Sequence, residues 1–179
     1  QRQMCIRDRS TNDDIIIIDA EREYGDLVRA LRGIVLEISP NSRHHINPLE
    51  IARGYGMGEN PVALKSELLM SICEQQMGEG QLGAFHKSII DRCTGDLYEE
   101  AEQNDTVPTL AALREKLIEQ PEAEAREIAL ALELFTTGSL DIFGHDSTVD
   151  LDKRVVVFDI HGLGEQLKPI GHLVITDTM

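Results

Sequence analysis

The segment Asp19-Ala20-Glu21-Arg22-Glu23-Tyr24 sets three carboxylates close together, directly after the apolar run Ile15-Ile16-Ile17-Ile18. A strand ending there places them at its carboxyl end, where open α/β sheets bind ligands. Carboxylates so placed can orient a water molecule or sense a metal-bound phosphate. The same residues also suit a local role, with Asp19 capping the following helix and Glu21 and Glu23 complementing its dipole. Spacing alone leaves both readings open and leans to the local one. Asp159, after the apolar run Val155 to Phe158, carries the same ambiguity.

Other chemistry-bearing residues offer less. His44 and His45 adjoin in a turn-rich stretch near Glu50, and neighbouring side chains in an extended segment point in opposite directions. No HxxxH or HExxH places two histidines on one helix face, and His145, His161 and His172 have no partner pattern, so no metal site is expected. Cys73 and Cys93 fall on apolar helix faces and read as buried thiols, while Cys5 stands apart. Gly78-Glu79-Gly80-Gln81-Leu82-Gly83 matches GxGxxG but follows a helix, and Glu79 would set a negative charge beside a pyrophosphate, so it reads as a loop. A phosphate loop needs GxxxxGK[ST], and no Gly-Lys pair occurs in the chain; Lys65-Ser66 lies inside a helical pattern behind Leu64.

The elements that must position these groups alternate. Ile15 to Ile18 has the unbroken β-branched character of a central parallel strand covered on both faces. Glu23 to Leu31 follows as a short helix ended by Gly33, and Ile34 to Ile38 is a second strand at β-α-β spacing. Residues 39–58 are turn-rich. Four helices come next: one capped by Asn60-Pro61 with Leu64, Leu68, Ile72 and Gln75 on its face; one with Phe85, Ile89, Ile90, Cys93 and Leu97; one capped by Thr109; and one opened by Pro121 and ended by Gly138. Val155 to Ile160 is the third strand. Leu163, Leu167, Ile170 and Val174 keep a helical spacing that favours a closing helix over a strand at His172 to Ile175.

Composition narrows the classes. The chain has 179 residues with 17 Lys+Arg against 32 Asp+Glu, a net charge of −15, which argues against an autonomous DNA-binding patch. Hydrophobic content of 41% excludes wholesale disorder, and no apolar run approaches the roughly 20 residues that span a bilayer. No secretory leader opens the chain, so reduced thiols in cytoplasm are the expectation. Gln1 to Ser10 (QRQMCIRDRS) shows no helical or strand period and resembles translated adapter sequence. Residues 1–12 are therefore read as a non-native or disordered scar.

The run IIIIDAEREYGDLVRALRGIVLEISPNSRHHINPLEI resembles the conjugal transfer ATPases of type IV secretion systems, the VirB/TraE-like motor family. Asp19 to Tyr24 matches that family's DPEREY-like motif with Ala20 in place of Pro, and Ile46-Asn47-Pro48-Leu49 matches its INPL-like turn. The similarity continues in order through NPVALKSELLMSICE, IIDRC, and the stretch from ALELFTTGSLDIFGH to VVVFDIHGLGEQLKPIGHLVITD.

The resemblance implies an α/β fold: part of a RecA-like P-loop ATPase core with a parallel sheet, interrupted by an all-helical insertion. Residues 13–58 would begin the core, 59–138 would form the insertion, and 139–179 would return to the core. It implies an internal fragment, with Walker A before and Walker B after. The fragment alone would then be inactive and hold no cofactor, while the parent would use ATP and Mg²⁺. That parent would work as a homo-oligomer with other secretion-channel subunits at the cytoplasmic face of the membrane, moving DNA or relaxase cargo indirectly. Within the fragment, Asp19, Glu21 and Glu23 would lie near the nucleotide. Two alternatives stand beside it: a fragment of an FtsK/HerA-like DNA-pumping ATPase, and a non-catalytic acidic helical module that docks a basic partner.

Overall fold

The computed structural model describes residues 14–40, 42–52, 54–138, 141–149, 154–165 and 167–178. The suspected scar, with Cys5, lies outside the described residues. Three strands, β1 (Ile15–Asp19), β2 (Ile34–Glu37) and β3 (Val155–Asp159), form a parallel sheet in the order β1-β3-β2. The last strand in sequence thus occupies the middle of the sheet, and all five of its residues are buried. This corrects the expectation for β1, which is an edge strand among the described residues, with Ile16 37% exposed. An unbroken β-branched run reports covered faces; it carries no information about whether both backbone edges are paired. β1 and β2 form the expected β-α-β crossover, but β3 stands between them.

Alternation along β3 divides the core. Val155 and Val157 face one side, packing with Val28 and the half-buried Ile15, Ile17, Tyr24 and Val35. Val156 and Phe158 face the other and join Leu36, Ile38 and the apolar faces of the helices in one continuous cluster. Helix α1 (Gly25–Ala30) covers the first side and is shorter than the apolar period suggests. Arg22 (φ 60°) and Arg32 (φ 59°) take left-handed conformations on either side of it, which an α-helix cannot include. Arg32, rather than Gly33, therefore makes the terminating turn. Gly33 is needed for another reason: a Cβ there would lie 2.5 Å from the Val155 carbonyl oxygen on β3.

The four expected helices are α2 (Pro61–Met77), α3 (Ala84–Asn104), α4 (Leu110–Ile118) and α5 (Ala123–Thr136). Asn60 caps α2, its Oδ1 accepting from the amides of Val62 (3.0 Å) and Ala63 (3.4 Å), and the Thr109 hydroxyl caps α4 by accepting from Ala112 at 3.2 Å. α5 begins two residues beyond Pro121, at Ala123. The inward faces are Leu68, Leu69, Ile72 and Cys73 on α2, and Ile89, Ile90, Cys93 and Leu97 on α3. Gln75 and Phe85, expected on those faces, are exposed, Phe85 by 74%. Both Cys73 and Cys93 are buried, and desolvation pushes the Cys73 thiol up to about 12. The closing segment is a helix, α6 (Lys168–Asp177), preceded by a 3-10 turn at His161–Leu163. No helix among the described residues is long and apolar enough to cross a membrane.

Buried polar groups tie the helices to the INPL turn and to one another. Asn47, fully buried in the INPL turn, donates from Nδ2 to the Pro108 carbonyl at 2.8 Å and accepts on Oδ1 from the Leu49 amide at 3.0 Å. Tyr98 of α3 donates its hydroxyl to the Leu49 carbonyl at 2.5 Å. Lys65 of α2, with no exposed surface, pairs with Asp177 of α6 and lies over the Tyr55 ring at 4.3 Å.

Candidate functional site

Among the described residues each of the three strands ends in an acid, and these acids lie in one register row: Asp19 opposite Asp159, and Asp159 opposite Glu37. Registered residues on parallel neighbours share a face, so IIIID, IVLE and VVVFD bring three carboxylates together at the carboxyl end of the sheet. Asp19 and Asp159 are buried, 1% and 5% exposed, where uncompensated like charges would be costly. Each is hydrogen-bonded at both oxygens. Asp19 accepts the amides of Glu23 (3.1 Å) and Tyr24 (2.9 Å). Asp159 accepts the His161 amide at 3.1 Å on Oδ1 and Arg22 Nε at 2.6 Å on Oδ2.

Arg22 completes the row. Its left-handed backbone turns the side chain across the strand ends, so that Nη2 also donates to Glu37 Oε1 at 3.1 Å. The hydrogen bond and charge of Asp159 hold the guanidinium's pKa above its ordinary value against desolvation, and Glu37 adds a smaller push in the same direction. From the other side, His161 Nδ1 lies 3.2 Å from the Ala20 carbonyl, which fixes that nitrogen as the protonated one. The 20–24 turn is thus braced by β2, β3 and the segment after β3.

The three acids singled out by sequence have different surroundings. Asp19 is occupied by the two turn amides; it caps the turn ahead of α1, whose N-cap position belongs to Tyr24. Glu21 lies 3.4 Å from Lys168 Nζ, which also donates to Glu165 at 2.6 Å. Glu23 carries a carboxylate with no hydrogen bond or ion pair among the described residues. It lines an open concavity of about 480 Å³ with Arg22, Arg29, Glu37, His44 and Asp159. Chemically, the site offers a solvated carboxylate beside a fixed guanidinium, an arrangement that can orient water or accept a proton.

Sequence reasoning missed Arg22 and Glu37. The recurring acid at the end of each apolar run was a readable signal for Glu37; the positive φ that aims Arg22 was not. His44 and His45 do diverge: His44 lines the concavity, whereas His45 meets His145 edge-on, ring centroids 4.9 Å apart. Among the described residues no group of three His, Cys, Asp or Glu is arranged to hold a metal ion. Residues 78–83 form the loop between α2 and α3, and Lys65-Ser66 lies inside α2.

No family model matches the chain, and no curated protein matches it in sequence. Among solved structures it is similar to VirB4 of Thermoanaerobacter pseudethanolicus, with a TM-score of 0.80 and 23% identity over 99% of this chain and 71% of that one. The likeness is one of fold, and it spans the helices between β2 and β3 as well as the sheet. Over nearly its whole length, therefore, the chain has the fold of VirB4: the α/β core with interposed helices that its sequence resemblance implied.

Proposed function

We propose that the chain is the central part of an ATP-hydrolysing motor that powers conjugative DNA or protein transfer through a type IV secretion system. One observation carries this reading: the ordered sequence resemblance to conjugal transfer ATPases coincides with a VirB4 fold over 99% of the chain. In this reading residues 13–58 and 139–179 belong to the ATPase core, and 59–138 are an insertion. The described residues hold neither a GxxxxGK[ST] loop nor a metal-ligating cluster, so the phosphate grip and the Mg²⁺ ligands would come from elsewhere in the parent protein. The parent would act as a homo-oligomer with other channel subunits, peripheral to the inner face of the cell membrane. What this chain supplies is the strand-end site, with Glu23 as the carboxylate available to a nucleotide and Asp19 and Glu21 shaping the turn around it.

A DNA pump of the FtsK/HerA kind would share the strand and acidic turn; the match across α2 to α5 favours the secretion motor. The test is to extend the gene on both sides. A phosphate loop upstream, an apolar strand ending in Asp-Glu downstream, and Mg²⁺-dependent ATP hydrolysis by the extended protein are expected. This chain alone should show no turnover above background. Flanks without those motifs would overturn the proposal in favour of a non-catalytic acidic module, whereas ATP hydrolysis that tracks this chain by itself would overturn the assignment of the phosphate grip to the rest of the parent.

A further inference from the structure

We infer that Arg22 is a positioning residue: by clamping the carboxylates of Asp159 and Glu37 at the ends of β3 and β2, it holds the 20–24 turn in the conformation that presents Glu23 to the concavity. Three independent features support this. Arg22 keeps a left-handed backbone (φ 60°) that costs a non-glycine residue energy and persists only where surrounding contacts enforce it. Its guanidinium touches two of the three registered acids, Nε on Asp159 and Nη2 on Glu37, a two-acceptor geometry that a lysine ammonium reproduces poorly. Finally, Glu23 is the next residue, so relaxation of Arg22 to negative φ would rotate the peptide carrying Glu23 and pull its amide from Asp19 Oδ1.

The clamp itself rests on geometry alone; its bearing on turnover rests on the motor reading above. Both parts are tested with one set of variants. In this chain, Arg22→Gln is expected to accelerate hydrogen exchange at the Glu23 and Tyr24 amides by roughly tenfold. Arg22→Gly, which accepts the same φ without strain, should loosen the turn as well. Arg22→Lys should fall between. In an Asp159→Asn, Glu37→Gln background, Arg22→Gln should add little further acceleration, because the charges it compensates are gone.

Unchanged protection in Arg22→Gly, or full additivity in the combined variants, would overturn the clamp. In the extended protein, Arg22→Gln is expected to lower kcat for ATP by roughly tenfold or more with KM little changed. A loosened turn with unaltered kcat would refute the positioning role. If the unsubstituted extended protein hydrolyses no ATP, it is the motor reading that falls, and the exchange data still decide the clamp.

Discussion

Lys65 and Asp177 lie 112 residues apart and meet in the interior, where α2 approaches the last turn of α6. The ammonium has no exposed surface, and the Tyr55 hydroxyl donates to the other carboxylate oxygen at 2.6 Å. Burial pulls the Lys65 pKa below its ordinary value, opposed by the hydrogen bond and charge of Asp177 and by the charge of Glu50. An acid at the carboxyl end of a helix is disfavoured by the helix dipole, so this pairing also neutralises a local conflict in α6.

Breaking that pair from one side should cost more than deleting it. Lys65→Met leaves a poorly solvated carboxylate beside Tyr55, and a loss of about 3–5 kcal/mol is expected in urea unfolding. Lys65→Met with Asp177→Leu should recover much of it. A double variant as unstable as the single one would show that packing, not charge, holds α2 to α6.

The nearby phenols give the protein an alkaline limit. Burial pushes Tyr55 upward from 10.0, helped by the hydrogen bond and charge of Asp177; burial also raises Tyr98, helped by the charges of Tyr55 and Asp177. With folded pKa values above the unfolded one, their stabilisation is complete below pH 10 and is lost as pH rises beyond it. Lys65, shifted downward from 10.5, acts in the reverse sense over part of that range, one group against two. Denaturation midpoints should therefore fall in alkali, the buried Cys73 thiol contributing from pH 9.0 upward, and Tyr98→Phe should flatten the part of the fall above pH 10. Identical pH profiles for Tyr98→Phe and the unsubstituted chain would contradict this.

Two glycines should respond with opposite signs. At Gly33 an added methyl would meet the Val155 carbonyl oxygen at 2.5 Å and Val28 Cγ1 at 2.7 Å, so Gly33→Ala must push β2 away from β3 and should cost about 3 kcal/mol or more. Gly95 lies inside α3 with nothing within 4 Å of where an added methyl would sit, and Gly95→Ala should stabilise by about 0.5–1 kcal/mol. Thermal melting of the two variants is a direct check.

Glu23 separates folding from function. Its carboxylate has no partner among the described residues, so Glu23→Ala should change stability by less than about 0.5 kcal/mol. In the extended protein the same change should depress ATP hydrolysis. Unaltered turnover together with a lower melting temperature would return Glu23 to a structural role at the start of α1.

Much of this fold could be read from side chains alone. Asn60 and Thr109 announced their helices because a capping side chain acts on amides two or three residues away, within the span of a local pattern. The order of the strands was not legible, because IIIID and VVVFD look alike and only long-range packing puts the second in the centre. At the site, the acids were visible as residues but their different roles were not. Asp19 is consumed by the amides of Glu23 and Tyr24, and Glu37 is drawn in by Arg22, through a positive φ and contacts reaching as far as residue 159. Lys65 was weighed only as an imitation of a phosphate-loop lysine, because a lysine inside a helical pattern discloses nothing of an aspartate 112 residues later.

The central place of β3 bears on how the protein is made. Strands β1 and β2 leave the ribosome early, yet the seat between them stays vacant until residues 155–159 arrive, after all of α2 to α5. Helical contacts are short in sequence and close quickly, so the bundle can consolidate while the sheet still waits. During that wait the backbone edges of β1 and β2 facing the empty seat remain open to any other extended chain, which makes synthesis of α2 to α5 the interval when a helper that shields strand edges would matter most.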